Sequence, residues 1–279
     1  MLNQYEQKKV PILMYHSISE RAGPKFKPFT ISPALFSRHM EYLHQHGYTP
    51  ITVTEFIQAR GRRLHTLPRR PVVLTFDDGF ADFYTHAFPI LKQHNFTATL
   101  YVATGYINDT SRWLRREGET TRCMLTWDQV VEISKSGIEC GAHSHTHPQL
   151  DTIPLIMARY EIMGSKMILE QHLNQRITTF AYPYGYYTAT TQKLVREAGY
   201  TSACAVKHAM SSAMTEAFAL ARITITSSTD VGALADLING RKLSGISAMY
   251  LQARTPVWQA VRRASSPVTR SMKEGAYVR

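Results

Sequence analysis

Residues 71–80 read PVVLTFDDGF, an apolar run that ends in two adjacent acids, Asp77 and Asp78. The apolar and β-branched residues of this stretch predict a buried strand. Two neighbouring carboxylates at the end of such a strand repel each other and lose hydration, which is costly unless a cation or a proton offsets them. The stretch therefore predicts a strand with a chemical site at its carboxyl end.

Six other short apolar runs alternate with helical patterns along the chain. They cover residues 10–15, 97–103, 138–142, 177–182, 202–206 and 218–225. Between them, residues 32–47 predict a helix with Ser32 as its N-cap. Residues 126–137 predict a second helix, in which Thr126 and Gln129 form a capping box.

Apolar residues spaced three and four apart predict two more helices, over residues 154–173 and 189–198. Regular alternation of strand and helix implies parallel pairing with right-handed crossovers, and seven strands come close to a barrel. We therefore predict an α/β fold with a complete or incomplete (β/α) barrel. In that architecture functional side chains gather at the carboxyl ends of the strands.

Polar or turn-forming groups follow several predicted strands at equivalent places. They are His16, Asp77, Asp78, His143 and the turn at residues 182–185. Their shared position predicts one site at one mouth of the barrel.

The segment HSHTHP, residues 143–148, points to the kind of site. His143 and His147 would face the same way if a helical turn followed the strand, with His145 pointing elsewhere. Two histidines at this spacing more often have a structural role than bind a metal. Together with the adjacent acid pair, they are more typical of a metal site. Two imidazoles and one carboxylate make a catalytic divalent-metal site with open positions. The second aspartate would stay ionised beside the ion and accept a proton from water.

Three motifs resemble, in this order, the leading motifs of the NodB-type polysaccharide deacetylases: TFDDG at 75–79, HSHTHP at 143–148 and YPYG at 182–185. PILMYHSI, residues 11–18, resembles the start of the poly-N-acetylglucosamine deacetylase branch, and the resemblance covers about residues 10–225. It implies a distorted, TIM-barrel-like (β/α)7 barrel, the NodB homology domain. It also implies a metal-dependent hydrolase that removes N-acetyl groups from an N-acetylated sugar and releases acetate.

The resemblance assigns the central roles residue by residue. It implies Asp77 as the general base, with Asp78, His143 and His147 as the metal ligands. The ligand set is typical of Zn²⁺ and also admits Co²⁺, Ni²⁺ or Fe²⁺.

The remaining roles follow the same resemblance with two departures. In this branch His16 is the counterpart of the catalytic acid, and the backbone N–H of Tyr184 is the oxyanion donor. The wider family has a base-orienting Arg at the position of Phe180, and Arg222 is the nearest candidate to replace it. The family's late tryptophan and Leu-x-His motifs are not visible after residue 225, so the role of His16 depends on the branch.

For each of three features near the motifs, the sequence allows two interpretations. Trp127 either floors the site or packs beside the helix cap. Residues 108–123, with four Arg, are either a lid that selects substrate or a surface insertion. The tyrosines at 182, 184, 186 and 187 either stack on sugar or pack the barrel.

The net charge of +11 is concentrated at the end of the chain. Residues 241–279 hold eight Lys or Arg and one Glu, so we divide the chain into a catalytic domain, 1–240, and a basic tail, 241–279. A basic tail of this kind could bind an anionic membrane surface or nucleic acid. Of the two, we do not expect nucleic acid as a partner. A solvated tail is the simpler interpretation, because Pro256 and Pro267 interrupt its helical pattern.

The cellular compartment is inferred from what the sequence lacks. The polar start carries no apolar signal core, and no run approaches the length of a membrane span. Cys123, Cys140 and Cys204 form no CxxC pair and predict core thiols in a reducing compartment. We expect a cytoplasmic protein, or one peripheral to the inner membrane.

Three classes of function remain: an N-deacetylase, a catalytically silent glycan-binding member, and a membrane- or nucleic-acid-associated protein that acts through its tail. The complete set of site residues favours the deacetylase. The sequence does not decide the oligomeric state, or whether the sugar is polymeric, lipid-linked or nucleotide-linked.

Overall fold

The computed structural model describes residues 9–60 and 66–243, together with Ala260 and Arg262. Its strands are β1 (Lys9–Val10), β2 (Ile12–Tyr15), β3 (Ser17–Ile18), β4 (Thr30–Ile31), β5 (Thr49–Ile51), β6 (Pro71–Phe76), β7 (Thr99–Val102), β8 (Glu139–Ala142), β9 (Thr179–Ala181), β10 (Ser202–Cys204), β11 (Ser211–Ser212) and β12 (Ile223–Thr224). Its α-helices are α1 (Pro33–Gln45), α2 (Val53–Gln58), α3 (Phe88–Gln93), α4 (Trp127–Lys135), α5 (Leu155–Leu173), α6 (Ala189–Glu197) and α7 (Val231–Ile238).

The main sheet is parallel throughout and runs in the order β10-β9-β8-β7-β6-β2-β12, with β5 paired to the first half of β6. A parallel bridge between Cys204 and Leu220 joins β10 to the segment that leads into β12. Strand β12 in turn pairs with β2, so the seven-strand path closes on itself. The predicted distorted (β/α)7 barrel is confirmed.

Alternation along the strands separates two apolar layers. Ile12, Val73 and Tyr101 belong to a cluster inside the barrel. Leu13 and Leu74, one position further along their strands, belong to the larger cluster that packs against the helices. Because successive side chains of a strand point to opposite faces, the continuation of β6 places Asp77 on the inner side.

The helices begin where their capping residues predict. The Ser32 side chain accepts a hydrogen bond from Leu35 N–H (3.2 Å) at the start of α1. Thr126 and Gln129 form the predicted capping box of α4. None of the helices in the described part of the chain has both the length and the apolar character needed to cross a bilayer.

Cys140 and Cys204 are buried, as predicted, but Cys123 is exposed, so its prediction as a core thiol is wrong. It lies opposite Thr110 in an isolated antiparallel bridge. Apart from Arg241–Leu243, Ala260 and Arg262, the predicted basic tail lies outside the described residues, and its role stays a prediction.

Candidate active site

The carboxyl ends of β2, β6 and β8 open into one cavity of about 240 Å³. Its lining contains every residue that the motifs singled out except Arg222: His16, Asp77, Asp78, His143, His147 and Tyr184. Residues far apart in the sequence therefore meet at one mouth of the barrel, as the parallel arrangement requires.

Asp78, His143 and His147 form a compact buried group. One ligand atom from each lies within 4.8 Å of the other two. Nε2 of His147 is 3.2 Å from Asp78 Oδ1, and Nε2 of His143 is 3.5 Å from the same oxygen. The two ring nitrogens are 3.2 Å apart.

The two histidines do not meet through the predicted helical turn, and that expectation is wrong. The segment after β8 is irregular, and both Ser144 (φ 65°) and His147 (φ 59°) adopt the left-handed conformation. Ser144 Oγ accepts a hydrogen bond from the His147 N–H (3.0 Å) and closes the turn. His145 points away, as predicted, and its Nδ1 lies 2.9 Å from Thr104 Oγ1.

The hydrogen bonds of the group fit a divalent ion. His143 Nδ1 lies 2.8 Å from the carbonyl oxygen of Ala181, which assigns its proton to Nδ1 and leaves the Nε2 lone pair facing the group. Asp78 Oδ1 is buried and makes no hydrogen bond with any described residue. A carboxylate oxygen and two imidazole nitrogens that converge in this way are the kinds of donor that a zinc-type site uses.

The protonation states agree with that assignment. Burial lowers the pKa of His143 to about 4, so its ring is neutral at neutral pH. Burial also disfavours the charged form of Asp78, but the adjacent His147 outweighs it and the pKa of Asp78 lies below its usual range. Neutral imidazole and ionised carboxylate are the forms that bind metals.

Asp77 is held separately by a buried arginine. Arg222 donates from Nη1 to Asp77 Oδ1 (2.6 Å) and from Nη2 to Oδ2 (2.7 Å). Burial opposes the ionisation of Asp77, but the Arg222 guanidinium outweighs it, and the pKa of Asp77 is lowered. Phe180 faces the helix-packed layer instead and packs on Tyr200. Arg222 therefore contacts Asp77 from inside the barrel, and its replacement of the family's base-orienting Arg stays a prediction.

His16 follows β2 and lines the same cavity. Its Nδ1 is buried without a hydrogen-bond partner among the described residues, and its ring packs on Phe29 with centroids 5.3 Å apart. The next residues fix this loop, because Ser17 Oγ (2.6 Å) and the Ile18 N–H (3.1 Å) both donate to Asp82. The imidazole is therefore placed by its neighbours and keeps a free polar atom.

Tyr184 sits in the turn that follows β9, with φ 58°. Its ring lies 4.8 Å from that of His147. The next residue, Gly185, has φ 74°, and a Cβ there would stand 2.6 Å from Val206, so the turn needs glycine. Asp78 is left-handed too (φ 78°), so strained backbone is concentrated around this cavity, as it often is at functional sites.

Residues 108–123 contribute part of the cavity wall. Trp113, Leu114 and Glu117 line the cavity, which favours a substrate-facing role for this segment over a surface insertion, but the sequence did not single out these three residues. The Trp113 ring is 5.3 Å from that of His147. Trp127 is not in the lining and stacks on His172 at 3.7 Å, so the packing interpretation of Trp127 is the correct one.

Two of the four clustered tyrosines line the cavity, Tyr184 and Tyr186. Tyr182 is fully buried, and its ring stacks on Tyr187 with centroids 4.9 Å apart. The group is therefore divided between the site and the packing of the barrel.

Similarity to known proteins identifies the family. The profile described as Polysaccharide deacetylase matches residues 65–203. The Streptococcus pyogenes deacetylase PplD, solved in complex with acetate, is 30% identical, with a TM-score of 0.71 over 83% of this chain and 98% of that one. The chain belongs to the polysaccharide deacetylase family.

Two bacterial proteins extend the similarity. YxkH of Bacillus subtilis, which bears the name of a polysaccharide deacetylase, is 28% identical over 222 residues, 78% of this chain and 72% of that protein. The poly-beta-1,6-N-acetyl-D-glucosamine N-deacetylase of Staphylococcus aureus is 24% identical over 207 residues, 71% of this chain and 68% of that protein. The family resemblance predicted from the motifs is confirmed.

Proposed function

We propose that this chain is a metal-dependent hydrolase that removes N-acetyl groups from an N-acetylglucosamine-type glycan or glycan precursor and releases acetate. The observation that carries the proposal is the pairing of two groups in one cavity: Asp78 with His143 and His147, and beside them Asp77, held by Arg222. Family membership and the name of the S. aureus relative support the reaction class.

Asp78, His143 and His147 would hold the ion, with Zn²⁺ the first choice and Co²⁺, Ni²⁺ or Fe²⁺ compatible with the same donors. A divalent ion bound there supplies Lewis acidity toward the acetamide carbonyl and toward water.

Asp77 is the proposed general base. Its carboxylate takes a proton from the attacking water as the water oxygen bonds to the acetamide carbon. The two hydrogen bonds from Arg222 keep Asp77 ionised and fix its orientation. The base is thus ready at neutral pH without any rearrangement.

The later steps use two other residues of the cavity lining. The backbone N–H of Tyr184 would donate to the oxyanion of the tetrahedral intermediate. His16 would then protonate the departing nitrogen as the C–N bond breaks, which leaves acetate and a free amino sugar. The unpartnered Nδ1 of His16 is compatible with such a role.

Aromatic walls suit a sugar substrate. Phe29, Trp113, Tyr184 and Tyr186 line the cavity. Their faces can stack on the C–H surfaces of a pyranose ring. Contact of the basic tail with an anionic membrane stays a separate proposal, which sedimentation with anionic vesicles would test.

The test is acetate release by the metal-reconstituted chain on N-acetylglucosamine oligomers. Activity should be abolished by a chelator, restored by Zn²⁺ and reduced at least about 100-fold by Asp77→Asn. Asp128→Asn, an exposed acid on α4, is the matched control and should keep wild-type activity. Binding of oligomers without acetate release at any metal loading would instead indicate the silent glycan-binding member.

A further inference from the structure

A buried carboxylate outside the cavity lining holds the loop between the two candidate histidine ligands. Glu161 lies on α5 and is 4% exposed. Its Oε2 accepts hydrogen bonds from the N–H groups of His145 (2.8 Å) and Thr146 (2.7 Å), and its Oε1 accepts one from Thr146 Oγ1 (2.5 Å). Both carboxylate oxygens of Glu161 are therefore engaged by the loop.

The loop needs such support because its backbone is strained at both ends. Ser144 and His147 are left-handed without being glycine, a conformation that persists only where surrounding contacts over-determine it. On the other side, the Gly105 N–H donates to the His145 carbonyl (2.8 Å). Glu161 and Gly105 therefore clamp the same short loop from opposite faces.

We propose that Glu161 is a positioning residue, whose carboxylate holds residues 144–147 in the conformation that places His147 beside His143 and Asp78. The inference rests on the proposed metal site, because its consequence is the spacing of the three donor atoms. Groups that orient metal ligands from outside the coordination shell typically contribute about 10- to 100-fold in metal affinity.

Variants of Glu161 can keep or remove the hydrogen bonds that its carboxylate accepts. In Glu161→Gln the amide oxygen can still accept from both backbone N–H groups, and the amide nitrogen can donate to the Thr146 hydroxyl. Glu161→Leu fills a similar volume but accepts no hydrogen bond, so both N–H groups lose their partner. Glu170→Leu is the matched control, because Glu170 lies on the same helix and accepts from the Ile177 N–H (2.9 Å) away from the cavity.

The experiment is a titration of the metal-free full chain with Co²⁺ alone, followed by visible absorption. Glu161→Leu should weaken Co²⁺ binding about 10- to 100-fold and alter the band shape, which reports the geometry of the ligands. Glu161→Gln and Glu170→Leu should stay within about threefold of wild type. Thr146→Val leaves α5 intact, and its Co²⁺ affinity should lie between those of Glu161→Leu and Glu170→Leu. It replaces Glu161→Leu in the test if that variant does not fold.

Two outcomes would overturn the inference. If folded Glu161→Leu, or failing that Thr146→Val, binds Co²⁺ with wild-type affinity and band shape, Glu161 does not position the ligands, although the proposed function stands. If the wild-type chain takes up no Co²⁺ or Zn²⁺, the proposed metal-dependent function and this inference fail together.

Discussion

Arg222 and Asp77 form a two-pronged ion pair inside the barrel, with both guanidinium Nη atoms within 2.7 Å of the two carboxylate oxygens. Arg222 is fully buried and comes from the segment that closes the ring of strands. The pair therefore joins the closure of the fold to the proposed base.

Replacement of Arg222 by an uncharged residue should change the pH profile of the reaction. In Arg222→Met the pKa of Asp77 rises, because burial then acts without its counter-charge, so a higher pH is needed to ionise the base. We expect the acid limb of kcat/KM to move up by about 1–3 pH units. Activity above that limb should also fall, because Asp77 loses the two hydrogen bonds that orient it. Arg222→Lys, which retains the charge, should show the smaller shift.

Stability should be measured on the same two variants, because breaking a buried pair costs about 3–5 kcal/mol. An acid limb that stays at its wild-type position in folded Arg222→Met would show that Arg222 does not set the ionisation of the base.

The tight turn at Gly185 should not tolerate a side chain. Gly185→Ala places a Cβ 2.6 Å from Val206 at a positive φ, which should lower stability by about 1–3 kcal/mol and move the Tyr184 N–H. We expect most acetate release to be lost. Gly47→Ala has a similar φ but open space around it, and it should keep full activity at a cost of about 1 kcal/mol. Equal effects of the two variants on activity would refute the steric argument.

Substitutions of Trp113 and Trp127 should have different effects, because Trp113 lines the cavity and Trp127 packs away from it. Trp113→Ala removes a wall of the cavity and should raise KM for N-acetylglucosamine oligomers about tenfold, more than it lowers kcat. Trp127→Ala removes a ring that stacks on His172 and should leave KM within about twofold. Steady-state kinetics on both variants make the comparison, and a larger KM effect at Trp127 would be inconsistent with the structure.

Acid should destabilise the metal-free protein through His39. Burial lowers the pKa of this ring to about 4 from an ordinary value of 6.5, so between those values the unfolded chain binds the proton and the folded chain does not. The free energy of unfolding therefore rises with pH across this window. The contribution of His39 is fully present above about pH 6.5 and is lost as the pH falls toward 4, and it amounts to at most about 3 kcal/mol.

Urea unfolding at pH 7, 5.5 and 4.5 measures this dependence. His39→Asn should be less stable at pH 7 and have a shallower pH slope than wild type. His46→Asn, at the exposed end of the same helix, should keep the wild-type slope. A slope unchanged by His39→Asn would remove His39 as its source.

The barrel and the place of its site followed from local sequence patterns. Strand runs and capped helices alternate, and polar residues at strand ends must converge when the strands are parallel. The inward direction of Asp77 follows from the alternation along β6. The seven predicted strands do not include β5, because three residues with Pro50 among them carry little strand pattern. Helix α2 is also outside the predicted helices, although Thr52 and Glu55 are a capping-box signal for it.

The details of the site depended on tertiary contacts. Left-handed Ser144 and His147 have no local sequence signature, because the loop between them is supported by Glu161, which lies on α5 and is remote from the loop in sequence. Trp113 likewise reaches the cavity through the packing of its segment on Phe80. Motifs could name the candidate ligands, but they could not give the backbone conformation that joins them.

The central claim is that Asp78, His143 and His147 hold one divalent ion. Anomalous diffraction from crystals of the Zn²⁺-loaded chain, measured on both sides of the zinc absorption edge, tests it most directly. We predict one strong peak within coordination distance of Asp78, His143 Nε2 and His147, with Asp77 left in its pair with Arg222. A peak that excludes these three residues, or none at full zinc loading, would contradict the account.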